Sequence, residues 1–329
     1  MKLLKNKDLA VQDWKNFLNE NKYSSPFQTP EYFEFFNSVD NFSADVFAVE
    51  NDNGNLDGIV VVTIQQEKGL KAGFSKRGII YGGPVLSSEK GAESLFNYVV
   101  DYYKSKLIYL ETRNFFDYSD YKELLTKSGW SYVPWLNFQL QTEDPEALNK
   151  SMSSSRRRQI KKGIKNGAEI KEAQSENDVK AFYEILLDLY KTKIKKPLLP
   201  ESFFKAFYNQ SLGKYLLIFY EGKVIGGIMC PIMPNKAIYE FYVCGLDQEY
   251  KNQNPSILAT WAAIDYALKN NLQYFDFMGA GSPGEEYGVR EFKSRFGGKE
   301  VEHGRFLYIL NKSKYKIGKL GLKVLSKLK

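Results

Sequence analysis

The sequence predicts an α/β (α+β) protein built from two copies of one domain, each with a mixed, mostly antiparallel central sheet flanked by helices. Three observations support this fold class. Predicted helices and strands follow the same order in both halves. Segments of the two halves resemble each other at an offset of roughly 165 residues. The 329 residues, of which 43% are hydrophobic and 15% aromatic, are enough for two cores.

The first half begins with two helices and an antiparallel hairpin. Thr29 suits the N-cap of the second helix, and Pro30 suits its first position. The Asn51–Gly54 turn joins two strands, as is typical of a hairpin. The predicted elements are helices near 8–20 and 30–38, strands Val46–Glu50 and Gly58–Gln65, a turn at Tyr81–Pro84, a helix near 89–105, strand Leu107–Glu111, a helix near 118–128 and strand Ser131–Leu140.

The second half repeats this order. The predicted elements are helices near 154–166, 176–192 and 200–210, strands Tyr215–Tyr220, Val224–Ile232 and Ala237–Cys244, a helix near 255–269, strand Tyr274–Met278, a Gly-rich loop, a helix near 288–296 and strand Val301–Leu310. The segment LFNYVVDYYKSKLIYLE resembles ILATWAAIDYALKNNLQYFDF. We therefore expect a first domain of residues 1–145, a second of residues 146–310 and a basic amphipathic tail of residues 311–329.

Composition excludes several kinds of site. The chain has two cysteines without a CxxC spacing and a single histidine, which argues against a metal site, a disulfide framework and a histidine triad. It shows no signal-peptide pattern and no run of 18 apolar residues, so we expect a cytoplasmic protein.

Basic residues are clustered along the chain, whose formal net charge is +7. One cluster comprises Arg156, Arg157, Arg158, Lys161, Lys162 and Lys165, on a predicted helix whose Ile160 and Ile164 face inward. This helix is either a solvated face or a surface for phosphate or tRNA. In the tail, Ile317, Leu320, Val324, Leu325 and Leu328 recur at helical spacing among lysines. Such a helix either docks on its own domain or lies on the inner membrane surface.

The segment YFDFMGAGSPGEEYGVREFKSRFGG, residues 274–298, is the strongest candidate site. A strand leads into a Gly-rich loop and then a helix that carries cations, an arrangement suited to phosphates or an oxyanion. Gly279, Gly281 and Gly284 spell GxGxxG, but too little chain follows for a dinucleotide-binding sheet. We therefore interpret Gly279 and Gly281 as part of a substrate rim.

The order of elements in each half is that of the GNAT acyltransferase fold, and the chain resembles the Fem-type peptidoglycan-bridge aminoacyltransferases over nearly its full length. The segments that carry the resemblance are PFQTPEYFEFF at 26–36, SSSRRRQIKKGIKNGAEI at 153–170 and FDFMGAGSPGEEYGVREFKSRFGG at 275–298. The resemblance implies two tandem GNAT-like domains and no permanently bound cofactor. It also implies transfer of an amino acid from aminoacyl-tRNA to an amine of a lipid- or nucleotide-linked muropeptide or glycan precursor.

The loop that holds the pyrophosphate of acyl-CoA in many GNAT enzymes departs from its usual pattern here. That pattern is (Q/R)xxGx(G/A), and Gln253 in this chain is followed three residues later by Ser256. Because a side chain replaces the expected glycine, close approach of the backbone to phosphates is compromised. This departure disfavours acyl-CoA as donor.

The resemblance places Lys293, next to Phe292, on the motif whose lysine is important for transfer from the charged tRNA. Lys293 can neutralise a phosphate or stabilise the oxyanion that forms when the amine attacks the ester. A general base is less well specified. Further catalytic candidates are Asp276 as base, with Glu240, Glu285 and Glu286 as alternatives, and Tyr242, which like Tyr239 can donate to an oxyanion or line the groove. The substrate-binding candidates are Arg295, Arg290, Glu240, Gly279, Gly281, Arg156 and Lys161.

Two alternative functions remain open at this point. One is an acyl-CoA-dependent N-acyltransferase that acts on an amino sugar of a surface polysaccharide. The other is a catalytically silent GNAT scaffold that only binds a glycan precursor. Identification of the donor, acyl-CoA or aminoacyl-tRNA, distinguishes the first alternative from aminoacyl transfer. Loss of transfer in a Lys293 variant would exclude the second alternative, because a scaffold has no transfer activity to lose.

Overall fold

The computed structural model describes residues 1–67, 73–285 and 288–327, with side chains up to residue 320. The chain forms two compact units. Unit 1 comprises Met1–Pro134 and His303–Lys329, and unit 2 comprises Trp135–Glu302. Among the described residues, each unit contains one eight-stranded mixed sheet with packed helices, which confirms the predicted fold class.

The first segment of unit 1 contains most of the elements predicted for the first half. Its elements are β1 (Lys2–Lys5), α1 (Val11–Glu20), α2 (Pro30–Ser38), β2 (Phe42–Glu50), β3 (Leu56–Gln65), β4 (Arg77–Gly82), β5 (Val85–Leu86), α3 (Glu89–Tyr103), β6 (Tyr109–Asn114), α4 (Ser119–Lys127) and β7 (Ser131–Val133). The side chain of Thr29 accepts a hydrogen bond from the backbone N–H of Tyr32, so α2 has the predicted cap. Strands β1 and β4 were not predicted.

Unit 2 contains most of the elements predicted for the second half and one strand predicted for the first. They are β8 (Leu136–Gln141), α5 (Pro145–Ser151), α6 (Ser154–Lys165), β9 (Glu169–Glu172), α7 (Glu176–Leu189) with a π-helical turn (Tyr190–Ile194), α8 (Glu201–Asn209), β10 (Gly213–Tyr220), β11 (Lys223–Met233), β12 (Ala237–Tyr239), β13 (Tyr242–Gly245), α9 (Pro255–Lys269), β14 (Tyr274–Asp276), α10 (Gly288–Ser294) and β15 (Lys299–Glu302). Helix α9 is buried on most sides and packs against the sheet, because its sequence is apolar almost all round.

The chain then returns to unit 1 with β16 (Arg305–Ile309) and α11 (Lys312–Lys327). The strand order in unit 1 is β1-β2-β3-β4-β6-β16-β7, with β5 beside β3, and in unit 2 it is β15-β8-β14-β12-β11-β10-β9, with β13 beside β11. Each sheet has one parallel pair, which is β4 with β6 in unit 1 and β12 with β14 in unit 2. The remaining pairs are antiparallel.

The unit limits differ from the predicted domain limits of residues 145 and 310. The expected strand Ser131–Leu140 is two strands in different sheets, because β7 pairs with β16 while β8 pairs with β14. Pro134, which has no N–H for a ladder, lies between them. The expected strand Val301–Leu310 also divides, at Gly304 with φ +62°. Each half thus contributes one strand to the other unit's sheet.

Part of the predicted tail falls outside the residues with described side chains, including Val324, Leu325 and Leu328. Within the described part of α11, Ile317 and Leu320 are exposed. Among residues 1–67, 73–285 and 288–327, no helix combines the length and apolar character that crossing a membrane requires.

Candidate functional site

The candidate site of unit 2 lies where its two parallel strands part. Strands β12 and β14 are last paired at Tyr239 and Asp276. Beyond this pair, the backbone N–H of Glu240 still donates to the carbonyl of Asp276 at 2.9 Å. The predicted strand Ala237–Cys244 is broken here into β12 and β13. The break places Glu240 at the point of divergence, beside the start of the Gly-rich loop.

Lys293 is buried at this point, with 9% of its side chain exposed. Its ammonium nitrogen lies 2.9 Å from Oε1 of Glu240. It also donates to the backbone carbonyl oxygens of Phe277 at 2.7 Å and Gly279 at 2.8 Å. Since an ammonium has three N–H donors, each has an acceptor within the protein. Lys293 therefore ties α10 to both the loop and the end of β12.

Glu240 is the buried partner of this ion pair, with 4% of its side chain exposed. Its second oxygen accepts a hydrogen bond from Oγ1 of Thr260 on α9, at 3.4 Å. Burial raises the pKa of Glu240, although Lys293 acts in the opposite direction. A carboxylate with a raised pKa is a stronger base than an exposed one, which suits it to accept a proton.

Asp276 is fully buried and accepts three hydrogen bonds. Its carboxylate accepts from Nδ2 of Asn137 at 2.9 Å, Nε2 of Gln139 at 3.0 Å and the backbone N–H of Met278 at 2.6 Å. Burial raises its pKa, and these donors oppose the increase. Asn137 also accepts from the backbone N–H of Gly279 at 2.7 Å. The arrangement makes Asp276 an anchor for the loop.

Asn137 and Gln139 were not among the site residues predicted from the sequence. They alternate along β8, LNFQLQ, and Asn137 is buried although it is polar. Polar residues at alternate positions of an apolar strand were the available signal. Their partner could not be known, because β8 was assigned to the first domain.

The Gly-rich loop adopts a conformation that favours glycine. Gly279 has φ +123° and Gly281 has φ +85°, and Met278 between strand and loop also has a positive φ of +54°. A Cβ atom at Gly279 would lie 3.0 Å from Nε1 of Trp135. Backbone geometry thus favours glycine at both positions, and close packing adds to this at Gly279.

Arg290 organises the loop from α10. Its guanidinium donates to the backbone carbonyl oxygens of Ala280 at 3.0 Å and Glu285 at 3.1 Å, and also to that of Ser282. These contacts occupy several of its donors and fix the loop against the helix. Glu285 is exposed, and the other acid of this segment, Glu286, lies outside the described residues.

A surface recess of ≈ 660 Å³ lies beside α10. It is lined by Phe138, Gly284, Glu285, Gly288, Arg290, Glu291, Ser294 and Glu300. Three of these residues are carboxylates and one is a cation, so the recess is suited to a positively charged group such as an amine.

Arg156 contacts α10 from the first turn of α6. It is 2% exposed, and its Nη2 donates to the backbone carbonyl of Phe292 at 2.8 Å. Its guanidinium carbon lies 4.5 Å and 4.3 Å from the ring centroids of Phe292 and Phe296. Burial and the nearby charge of Arg295 lower the pKa of Arg156 to about 10. Arg156 thus holds α10 in place behind Lys293.

The cationic stripe of α6 is exposed. It comprises Arg158, Lys161, Lys162 and Lys165. The predicted inward face is correct for Ile160 and wrong for Ile164, which is 50% exposed. Gly163 is buried instead, because any Cβ there would collide with the backbone carbonyl oxygen of Gln253. Helix α6 therefore packs closely on the segment that precedes α9.

Two further candidate site residues, Arg295 and Tyr242, contact other parts of unit 2. Arg295 is exposed and forms an ion pair with Glu291 one turn earlier on α10. Tyr242 is half-buried on β13, where its ring packs with Phe204 at 5.0 Å and Phe241 at 4.9 Å between centroids.

The N-terminus of α9, where the acyl-CoA loop would lie, carries a carboxylate. Asp247 accepts from the backbone N–H of Ser256 at 3.1 Å and from its hydroxyl at 2.5 Å. The side-chain amide of Gln253 already has a partner within the protein, because it donates to the backbone carbonyl of Asn166 at 3.2 Å. An anion from solution would meet a negative charge at this helix end.

Comparison with known proteins shows that most of unit 2 is similar to an acetyltransferase domain. Residues 154–294 match the model of the Acetyltransferase (GNAT) domain. This match confirms, at the level of the domain, the prediction of an acyltransferase. A search of curated protein sequences found no significant match.

Solved structures share the tandem arrangement. FemX is 14% identical with a TM-score of 0.75, covering 96% of this chain and 99% of its own. L-PGS from Bacillus licheniformis is 12% identical with a TM-score of 0.57, covering 94% and 96%. A tandem GNAT protein of the clavulanic acid biosynthesis pathway is 9% identical with a TM-score of 0.59, covering 94% and 99%. The resemblance to a Fem-type tandem GNAT fold is thereby confirmed.

Proposed function

We propose that this tandem GNAT protein transfers an aminoacyl group from aminoacyl-tRNA to an amine of a cell-envelope precursor, with a peptidoglycan stem-peptide amine as acceptor. The observation that carries the proposal is the buried Lys293–Glu240 pair at the end of the parting strands, beside the loop anchored by Asp276. The fold shared with FemX supports the same reaction class. Fold likeness alone does not identify a substrate.

The chemistry requires a proton acceptor. The acceptor amine attacks the ester carbonyl carbon, the carbon–oxygen bond to the tRNA ribose breaks, and an amide forms. The amine nitrogen loses a proton in this step, and the ribose oxygen gains one. We assign the transfer of that proton to Glu240, because it lies where β12 and β14 part, whereas Asp276 already accepts three hydrogen bonds that hold the loop.

Lys293 has a positioning role in this proposal. Its three donors are directed to Glu240 and to the carbonyl groups of Phe277 and Gly279. It therefore sets the orientation of the carboxylate and the course of the loop at once. Arg290 and Arg156 support the same arrangement from either end of α10.

The donor in this proposal is aminoacyl-tRNA, with acyl-CoA as the alternative. Asp247 occupies the helix end at which an acyl-CoA pyrophosphate would need free N–H groups. The exposed stripe of α6, which includes Arg158 and Lys161, offers cations to a phosphate backbone. The acyl-CoA alternative retains support from the match to an acetyltransferase domain family.

The acceptor in this proposal is a lipid- or nucleotide-linked precursor, and the protein is cytoplasmic with peripheral contact to the inner membrane face. Helix α11 exposes Ile317 and Leu320. The segment 311–329 contains lysines but no acidic residue. Apolar side chains among cations favour an anionic lipid surface.

A donor competition experiment tests the proposal. The purified protein is incubated with a nucleotide-linked muropeptide and either a mixture of charged tRNAs or acetyl-CoA, and products are identified by mass spectrometry. We expect an added aminoacyl mass with charged tRNA, at least a hundredfold slower in Glu240→Gln. An added acetyl group from acetyl-CoA, with none from tRNA, would refute the aminoacyl-tRNA reaction.

A further inference from the structure

Unit 1 carries a cluster of arginines around Glu111 on β6, the strand that the repeat aligns with β14 of unit 2. The repeat aligns LIYLE of β6 with LQYFD of β14, so Glu111 corresponds to Asp276. Strands β4 and β6 form the parallel pair of unit 1, as β12 and β14 do in unit 2. The segment YKELLTKSGW of unit 1 has no counterpart of the Phe292-Lys293 pair. Glu111 lies opposite Ile79 within the parallel pair, which continues to Gly82 and Asn114, so it shares a strand position with Asp276 in the repeat but does not lie where the strands part.

The cluster has an excess of positive charge. Glu111 accepts from Nε of Arg113 at 2.9 Å and forms an ion pair with Nη1 of Arg305 at 3.0 Å. Arg77 donates to Oε1 of Gln65 at 2.9 Å. Burial alone would raise the pKa of Glu111, but Arg113, Arg305 and Arg77 lower it below its ordinary value. Three guanidinium groups therefore stabilise the ionised form of one carboxylate.

The guanidinium groups are held by the sheet and are partly open to solvent. The side chains of Arg113 and Arg305 are 35% and 22% exposed. Arg113 lies over the ring of Tyr81 at 5.3 Å, and the hydroxyl of Tyr81 accepts from Gln65 at 2.8 Å. The donors are thus pre-organised, which lowers the entropic cost of binding an anion. Burial and the charge of Arg113 lower the pKa of Arg305 to about 10, so an added anion would relieve repulsion within the cluster.

We propose that Arg77, Arg113 and Arg305 form an anion-binding subsite for a phosphate or carboxylate group of the acceptor precursor. The assignment to an acceptor rests on the proposed function, whereas anion binding itself does not. Guanidinium groups recognise both kinds of group through paired N–H donors. A sugar-linked diphosphate and a peptide carboxylate are the two sources of such an anion in an envelope precursor.

Calorimetry with the full-length protein at low ionic strength tests the subsite. The probes are inorganic pyrophosphate for the phosphate source and succinate for the carboxylate source. We expect saturable millimolar binding of one probe, weakened at least tenfold in Arg113→Gln and in Arg305→Gln. Lys127→Gln, on an exposed face of α4, removes the same charge and is expected to bind within twofold of the wild type.

A Glu111→Gln variant separates a binding role from a structural one. It removes the competing carboxylate and retains all three arginines, so binding of the same probe is expected to tighten at least twofold. Loss of binding in this folded variant, as judged by circular dichroism, would contradict the subsite. The subsite is also overturned if the wild type binds neither probe, or if both arginine variants bind as Lys127→Gln does.

The transfer reaction provides a second, separable readout. If the proposed function holds, Arg113→Gln is expected to raise KM for the muropeptide at least tenfold with kcat within threefold of the wild type. A loss of at least tenfold in kcat with unchanged KM would contradict a role of Arg113 in acceptor binding. Arginine-dependent anion binding without any transfer in the wild type would refute the proposed function and leave the subsite standing.

Discussion

Replacement of Lys293 by Met tests the buried ion pair that organises the candidate site. The change removes the charge from a side chain of which 9% is exposed and leaves Glu240, 4% exposed, without its cation. Removing one partner of a buried pair typically costs roughly 3–5 kcal/mol. The carbonyl groups of Phe277 and Gly279 also lose their donor. We therefore expect the free energy of unfolding to fall by roughly 3–5 kcal/mol.

The pH dependence of this loss identifies its origin. Burial already raises the pKa of Glu240, and loss of Lys293 raises it further. A carboxyl whose pKa is raised by folding holds its proton more tightly in the folded state. The part of the penalty that comes from the unpaired charge is therefore absent below the ordinary pKa of about 4.5, grows as pH rises from there to the raised value, and is constant above it. The part that comes from the two carbonyl groups is the same at every pH. Urea denaturation at several pH values, followed by circular dichroism, measures this trend.

A double-mutant cycle provides the control. We expect Lys293→Met combined with Glu240→Gln to lose less stability than the sum of the two single variants, with a coupling of roughly 2 kcal/mol. Lys127→Met, on an exposed face of α4, should leave the denaturation midpoint unchanged. The buried ion pair would be refuted if the losses in free energy of unfolding of the two single variants were additive. It would also be refuted if the loss in Lys293→Met did not become smaller as the pH is lowered.

Three further outcomes follow from the structure. Gly163→Ala should destabilise the protein by roughly 2–3 kcal/mol in thermal denaturation, because its Cβ would meet the carbonyl of Gln253, whereas Gly318→Ala should not, since its nearest contact is at 3.5 Å. Burial lowers the pKa of Lys236 to about 8, so stability should rise between pH 8 and 10.5, and Lys236→Met should flatten that slope in urea titrations. Arg290→Lys should speed hydrogen exchange of the loop backbone at residues 279–285 at least tenfold, and unchanged exchange would contradict its role.

The repeat in the sequence predicted the fold class because helical and strand periodicity survive in each half. Helix α2, with its Thr29 cap, and helix α9 agree with the predictions to within a residue. The two domain limits were not predictable in the same way. The strand-like pattern of apolar residues continues across Pro134 and Gly304. It therefore does not show that the chain passes from one sheet to the other at these two residues.

The site was only partly predictable for a related reason. Lys293, Asp276 and Glu240 were identified as candidates, but their mutual distances depend on pairing between distant strands. Arg156 was selected as a surface cation, and the structure buries it against two aromatic rings. The burial of a charged side chain such as Arg156 depends on which helices pack together, and local sequence patterns do not contain that information.

Mass spectrometry of envelope precursors from a strain lacking this protein tests the proposed transfer most directly. The account predicts that a muropeptide carrying one additional amino acid disappears and returns on complementation with the wild type. Complementation with Glu240→Gln, at equal protein abundance, is predicted to leave it absent. An unchanged precursor profile in the deletion strain, or full restoration by Glu240→Gln, would contradict the account.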